Sequence, residues 1–195
     1  MEGWQSAALA AGTGVLGAFF GLIIGGSRLV RTYDWDTEWH IDAPLADVYR
    51  VMTNPDEQRH WWPSMRVAQT TAHPDGQPGG TVVYHVQQAQ RVARFVRPFV
   101  ITSVTDDVEP ERRTRSVVSG DLIGVLETLF YSEPGGGTHI RYHWYVRVRN
   151  PLFNLAGFFA APMFRASHDH VMNEGEAGLN RYMREQARAL AVTET

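Results

Sequence analysis

Residues 41–65, IDAPLADVYRVMTNPDEQRHWWPSM, hold the change of pattern on which the fold turns. The first two end an alternating run, TEWHID, in which Thr37, Trp39 and Ile41 share one face and Glu38, His40 and Asp42 the other. That period of two marks a strand with one side buried and one side wet. Helical signals follow at once. Pro44 stands at the start of LADVYRVM, and in NPDEQRHWWP Asn54 can cap, Pro55 suits the first helical position and Glu57 favours the positive helix end. A strand followed by two short helices is predicted.

Working outward, the chain returns to strands. They are predicted over 65–72, 80–88, 97–108, 113–119, 121–132 and 138–149, with turns at HPDGQPGG, EPER and EPGGG. The last strand is the most regular: Ile140, Tyr142, Trp144, Val146 and Val148 point one way, His139, Arg141, His143, Tyr145, Arg147 and Arg149 the other. A long amphipathic helix is predicted over 162–191. Val171, Met172, Gly175, Leu179 and Tyr182 form its apolar stripe, and Glu174, Arg181, Arg184 and Arg188 lie off it. The sum is an α+β domain in which a curved antiparallel sheet wraps around the terminal helix.

Composition removes several chemistries. The chain of 195 residues has a formal net charge of −3, too little cationic excess for a duplex-binding surface, so no nucleic acid partner is expected. It has no cysteine, which excludes disulfides, thiolate nucleophiles and sulfur-based zinc sites. It also has no lysine, so Schiff-base chemistry and a Walker-type phosphate lysine are excluded.

At the other end, residues 3–27 carry no charge. At ~1.5 Å per residue such a run reaches across a hydrocarbon layer of ~30 Å. Within it GTGVLG, residues 12–17, has the spacing of a dinucleotide-binding loop, and Asp34 lies at a ribose-binding distance. The preceding SAALAA lacks the β-branched residues of a buried strand, and nothing downstream alternates strand with helix. Gly17, Gly21 and Gly25 instead recur every four residues, the pattern by which membrane helices approach closely, which also allows a homodimer through that face. Arg28 and Arg31 follow the run and orient the rest of the chain to the cytoplasm. The expectation is a single-pass membrane anchor over 1–33 and a ligand-binding domain over 34–195.

The order strand, two small helices, antiparallel strands and long helix resembles the helix-grip fold of the SRPBCC superfamily, which groups START lipid-transfer domains with polyketide cyclase/dehydrase-like proteins. The stretches that carry the resemblance are IDAPLADVYRVMTNPDEQRHWWPSM, SGDLIGVLE and HDHVMNEGEAGLNRYM. It implies a deep apolar cavity between sheet and last helix, and hence a hydrophobic small-molecule ligand such as a lipid, isoprenoid or polyketide-like compound.

The candidate ligand-binding residues are Trp61, Trp62, Val82, Tyr84, Leu122, Leu126, Tyr142, Trp144, His168, Met172, Gly175 and Leu179. Trp61 and Trp62 pack where the small helices meet the sheet, and the strand residues among the rest alternate correctly for its inner face. His168 either hydrogen-bonds a ligand, acts as acid or base, or is a core histidine satisfied by backbone. Gly175 gives either close helix packing or room for ligand. His168 and His170, two apart on a helix, point in opposed directions and cannot share an ion, so no metal and no cofactor is expected. Enzymatic machinery is sparse. No serine has a nucleophile-elbow context, and Glu127 is the one acidic residue read as lying well inside a strand. Binding and transfer are therefore favoured over a cyclase or dehydratase. The uncharged segment PLFNLAGFFAAPMF, residues 151–164, is read as a lid or membrane contact, or as packing on the sheet edge.

Overall fold

The computed structural model describes residues 31–71, 78–87, 98–149 and 151–193. Residues 1–30 of the expected anchor, with its Gly17, Gly21 and Gly25 face, lie outside the described residues, among which no helix is long and apolar enough to cross a membrane.

Strand β1 (Thr32–Ile41) leads into helices α1 (Leu45–Thr53) and α2 (Pro55–Trp61). Then come β2 (Met65–Thr70), β3 (Thr81–Val86), β4 (Phe99–Glu109), β5 (Arg113–Gly120), β6 (Leu122–Ser132), β7 (Thr138–Val148) and the helix α3 (Pro151–Thr193). The seven strands form one curved antiparallel sheet in the order β1-β7-β6-β5-β4-β3-β2. Bulges between Val67 and Gln69 and between Thr105 and Asp107 interrupt its ladders, a common means of bending a strand. At Gly120 the chain reverses with φ +109, where a Cβ would lie 2.5 Å from the Val100 carbonyl oxygen; only glycine turns here without strain.

Of the short helices, α1 follows Pro44 without a side-chain cap, whereas α2 is capped as its sequence predicts. The Asn54 side chain accepts a hydrogen bond from the Asp56 amide, and Pro55 occupies the first turn. β1 and β7 alternate as expected, with Trp39, Ile41, Ile140, Tyr142, Trp144, Val146 and Val148 buried.

β1 opens at Thr32, ahead of the domain boundary expected at 34, because Tyr33 and Trp35 continue the inward row. α3 departs further. It opens at Pro151 and runs through Pro162, which the sequence places at its first turn. An interior proline lacks the amide donor and crowds the preceding turn at a cost of ~3 kcal/mol, so tertiary anchoring must hold the early turns. Asn154 supplies it: buried, it donates to the Val148 carbonyl at 3.1 Å and accepts from the Arg31 amide at 3.3 Å, while Arg31 Nε donates to its carbonyl at 2.9 Å.

Farther along, α3 lies directly on the aromatic core. A Cβ on Gly175 would sit 2.6 Å from Trp39 and 2.7 Å from Trp62, and one on Gly178 would sit 1.9 Å from the Trp61 carbonyl oxygen. The indole of Trp62 donates to the Val171 carbonyl at 2.9 Å. Glu174 accepts from the Ser64 amide and hydroxyl, Glu176 from the His40 amide, and Asn180 both accepts from the Asp42 amide and donates to the His40 carbonyl. These contacts fix the helix against the end of β1 and the loop after α2.

Candidate functional site

Between the sheet and the helices lie two cavities that share Trp62, Met65, Ile101 and Trp144 as common walls. The first, of about 130 Å³ and partly open, is lined by α1, α2 and the inward faces of β3 to β7. The second, of about 100 Å³ and also partly open, is lined by β1, β7 and α3 together with Val86, Phe99 and Leu122.

The first cavity has a polar half. Ser103 and Thr105 of β4, Thr114 and Ser116 of β5 and Thr128 of β6 line it with hydroxyls, on the same inward faces as Ile101, Val118 and Leu126. Across from them the Tyr84 hydroxyl donates to Gln58 Oε1 at 2.8 Å. Burial holds the phenols of Tyr84 and Tyr142 well above the ordinary tyrosine range, so both stay protonated at neutral pH and serve as hydrogen-bond donors.

The second cavity is walled mainly by hydrocarbon and aromatic rings. Its titratable side chains are Tyr33 and His168. The His168 ring lies against Trp35, tilted by 47° with centroids 4.2 Å apart, and its Nδ1 lies 3.4 Å from Asp169 Oδ1. Burial pushes its pKa below the usual imidazole value, against the opposing pull of Asp169, so it is neutral at pH 7. His168 Nε2 is buried without a hydrogen-bond partner among the described residues. The same is true of Tyr33 Oη, Trp61 Nε1, Tyr142 Oη and Trp144 Nε1, all on residues lining one or both cavities. Buried polar groups are nearly always paired; of the eight buried side-chain atoms without a partner among the described residues, five border a cavity, and Trp39, Tyr49 and His139 hold the other three.

The sequence-derived candidates divide cleanly. Trp61, Val82, Tyr84, Leu126 and Tyr142 line the first cavity, Leu122, His168 and Met172 the second, and Trp62 and Trp144 both. Gly175 and Leu179 line neither. Leu179 is fully buried in the core, and the space above Gly175 is filled by Trp39 and Trp62, so of its two readings close helix packing holds and room for ligand does not. Glu127 lies well inside β6, as read from the sequence, and its face is now defined. It faces outward and pairs with Arg113 at 3.3 Å, in a network that includes Asp107 and Glu109.

Sequence reasoning missed the hydroxyl row. In ITSVT and RSVVS serines and threonines fall on both faces, Thr102 and Ser119 beside the cavity-lining Ser103, Thr105 and Ser116, so no clean period of two marks which hydroxyls point inward. Tyr33 and Trp35 were within reach of the same alternation that picked out Trp39.

Residues 34–190 match the family described as polyketide cyclase / dehydrase and lipid transport. No curated protein matches the chain in sequence. Among solved structures, the ZhuI aromatase/cyclase of a Streptomyces species aligns with 16% identity and a TM-score of 0.59 over 82% of this chain and 98% of its own. A Thermus thermophilus protein aligns with 16% identity and a TM-score of 0.60, covering 79% and 99%. A conserved Geobacillus kaustophilus protein aligns with 11% identity and a TM-score of 0.57, covering 78% and 96%. At such identities the likeness is one of fold. With the family match spanning nearly the whole described domain, and the helix-grip sheet and its cavities in place, the chain belongs to the polyketide cyclase/dehydrase and lipid transport family of the SRPBCC superfamily.

Proposed function

We propose that this chain binds a neutral, mainly hydrocarbon molecule bearing oxygen functions, of lipid, isoprenoid or polyketide-like character, and presents or transfers it. The observation that carries this reading is the pairing of uncharged walls with unpaired buried polar atoms. Among the described residues neither cavity is lined by a carboxylate or a guanidinium, so an ionised ligand would meet no counter-charge. Tyr142, Trp144 and His168 nevertheless offer buried hydrogen-bonding atoms without partners among the described residues. A ligand with a few carbonyl or hydroxyl oxygens on a hydrocarbon frame complements both features.

Binding is favoured over turnover because acid–base groups are few in the walls: two phenols held protonated and the His168 imidazole, with no carboxylate among the described lining residues to orient that imidazole or exchange a proton with it inside the cavity. The full-length chain, gently extracted and examined by native mass spectrometry, should carry an apolar adduct. It should also bind the fluorescent probe N-phenylnaphthylamine, and Leu122→Trp should weaken that binding. A chain that is empty, binds no probe and is indifferent to Leu122→Trp would overturn the reading.

A second reading, cyclisation or dehydration of a polyketide-like chain, draws on Tyr142 and Trp144, whose unpaired donors on the inward face of β7 are suited to polarising ligand carbonyls. Turnover of a supplied polyketone, lost in Tyr142→Phe while probe binding survives, would favour it. The uncharged run 3–27 is proposed to tether the domain at the cytoplasmic face of a membrane. Release of the chain by carbonate washing would count against that tether.

A further inference from the structure

On the opposite side of the sheet, three side chains that the cavity does not use converge. Glu38 and His40 are outward residues of β1, and His139 is an outward residue of β7 paired directly across from His40. One potential ligand atom from each lies within 4.8 Å of the other two. The two imidazoles stack with centroids 4.9 Å apart, and Glu38 Oε2 stands 3.7 Å from His139 Nε2.

Two further features set this group apart from an ordinary surface cluster. His139 Nε2 is buried yet has no hydrogen-bond partner among the described residues, since the Glu38 carboxylate is too distant to accept from it. His40 Nδ1 hydrogen-bonds Glu133 Oε1 at 2.7 Å. A carboxylate on one ring nitrogen fixes the tautomer and leaves a lone pair on Nε2, the arrangement that commonly supports a histidine metal ligand. The main chain of His40 is itself held, its amide by Glu176 and its carbonyl by Asn180.

We propose that Glu38, His40 and His139 form a binding site for a divalent zinc-type ion, with Glu133 positioning His40. Two imidazoles and a carboxylate are a donor set zinc accepts, with a fourth position left for water. At metal–ligand distances of ~2.0–2.2 Å the ligand atoms of a tetrahedral ion stand about 3.3 Å apart. Closing from the present separation falls mainly to the largely exposed Glu38 carboxylate, while Glu133 holds the His40 ring. An ion there would bind edge strand β1 to β7 and, through Glu133, to the β6–β7 hairpin. This site is independent of what the cavities hold.

The test is calorimetric titration of the untagged full-length chain with zinc sulfate, with cobalt(II) absorption as a second readout. One zinc per chain is expected, together with a visible cobalt band and a rise in Tm on adding zinc. His40→Ala and His139→Ala should each abolish binding or weaken it by more than the ~10–100-fold expected for Glu133→Gln. His143→Ala, which removes a neighbouring outward histidine, should leave it intact. His40→Ala changes an exposed side chain, so the comparison survives if His139→Ala misfolds. Absence of zinc binding in the wild-type chain, or binding unchanged in His40→Ala, overturns the proposal.

Discussion

Replacing Gly175 or Gly178 with alanine tests the closeness of α3 to the aromatic core, which sets the cavity walls. Ordinary Cβ contacts fall at 3.4–4 Å, whereas a Cβ at 175 would meet Trp39 at 2.6 Å and Trp62 at 2.7 Å. Neither indole has an easy retreat. Trp39 is fully buried with its ring 6.3 Å from Trp61, 5.1 Å from Trp62 and 4.7 Å from Tyr142, and Trp62 is pinned by its hydrogen bond to Val171. Overpacking of this kind costs ~1–3 kcal/mol, and the better helix propensity of alanine returns about 1 kcal/mol. A net loss of about 1 kcal/mol, or a Tm lower by ~2–4 °C, is expected for Gly175→Ala. At Gly178 the obstacle is the Trp61 backbone, 1.9 Å away, so the loss should reach about 2 kcal/mol, with Tm lower by ~4–8 °C. Urea and thermal unfolding of the full-length chain measure both, and Gly175→Ala should also weaken probe binding by displacing the shared wall Trp62. Variants as stable as the parent, with probe binding unchanged, would refute the proposed packing.

Other substitutions separate structural from binding roles. Tyr84→Phe removes the partner of buried Gln58 and should cost ~1–3 kcal/mol by urea unfolding. Tyr142→Phe, which breaks no hydrogen bond among the described residues, should leave stability nearly unchanged while weakening capture of an oxygen-bearing ligand; equal destabilisation by both would contradict the assignment. Thr138→Val orphans the Ala43 carbonyl from a fully buried 2.7 Å hydrogen bond, and chemical denaturation should register a loss of ~1–3 kcal/mol. His168 has a folded-state pKa below its unfolded value, so the unfolded chain binds the proton more readily and this residue destabilises the fold as pH falls below about 6.5. His168→Leu should remove that part of the acid sensitivity, and superimposable stability–pH curves for the two proteins would exclude it.

The architecture was legible because its signals are local and periodic. Strand alternation around Trp39 and Trp144, the Asn54-Pro55 cap and the stripe through Met172 and Leu179 each follow from side-chain spacing alone. The start of α3 was not, since Pro162 carries the local signal of a helix start, and the earlier turns depend on the fit of Asn154 between Arg31 and Val148. The site was legible in its aromatic and aliphatic part only. Its hydroxyl row cannot be told from the outward Thr102 and Ser119 of the same strands until the sheet is seen to curve over the helices, and the use of Gly175 depends on two tryptophans distant in sequence. The histidines relevant to a metal are likewise on strands joined only by tertiary pairing, whereas the local pair His168 and His170 points apart.

The pairing of β1 with β7, from Thr32 opposite Arg147 to Ile41 opposite Thr138, has a consequence for biogenesis. During synthesis the first strand must wait for nearly the whole domain to leave the ribosome before its ladder can close. Until then Trp35 and Trp39 have no sheet to cover them. Such non-local closure is slow, so refolding should show a late phase that buries tryptophan, and a nascent chain stalled before β7 should be a substrate for chaperones.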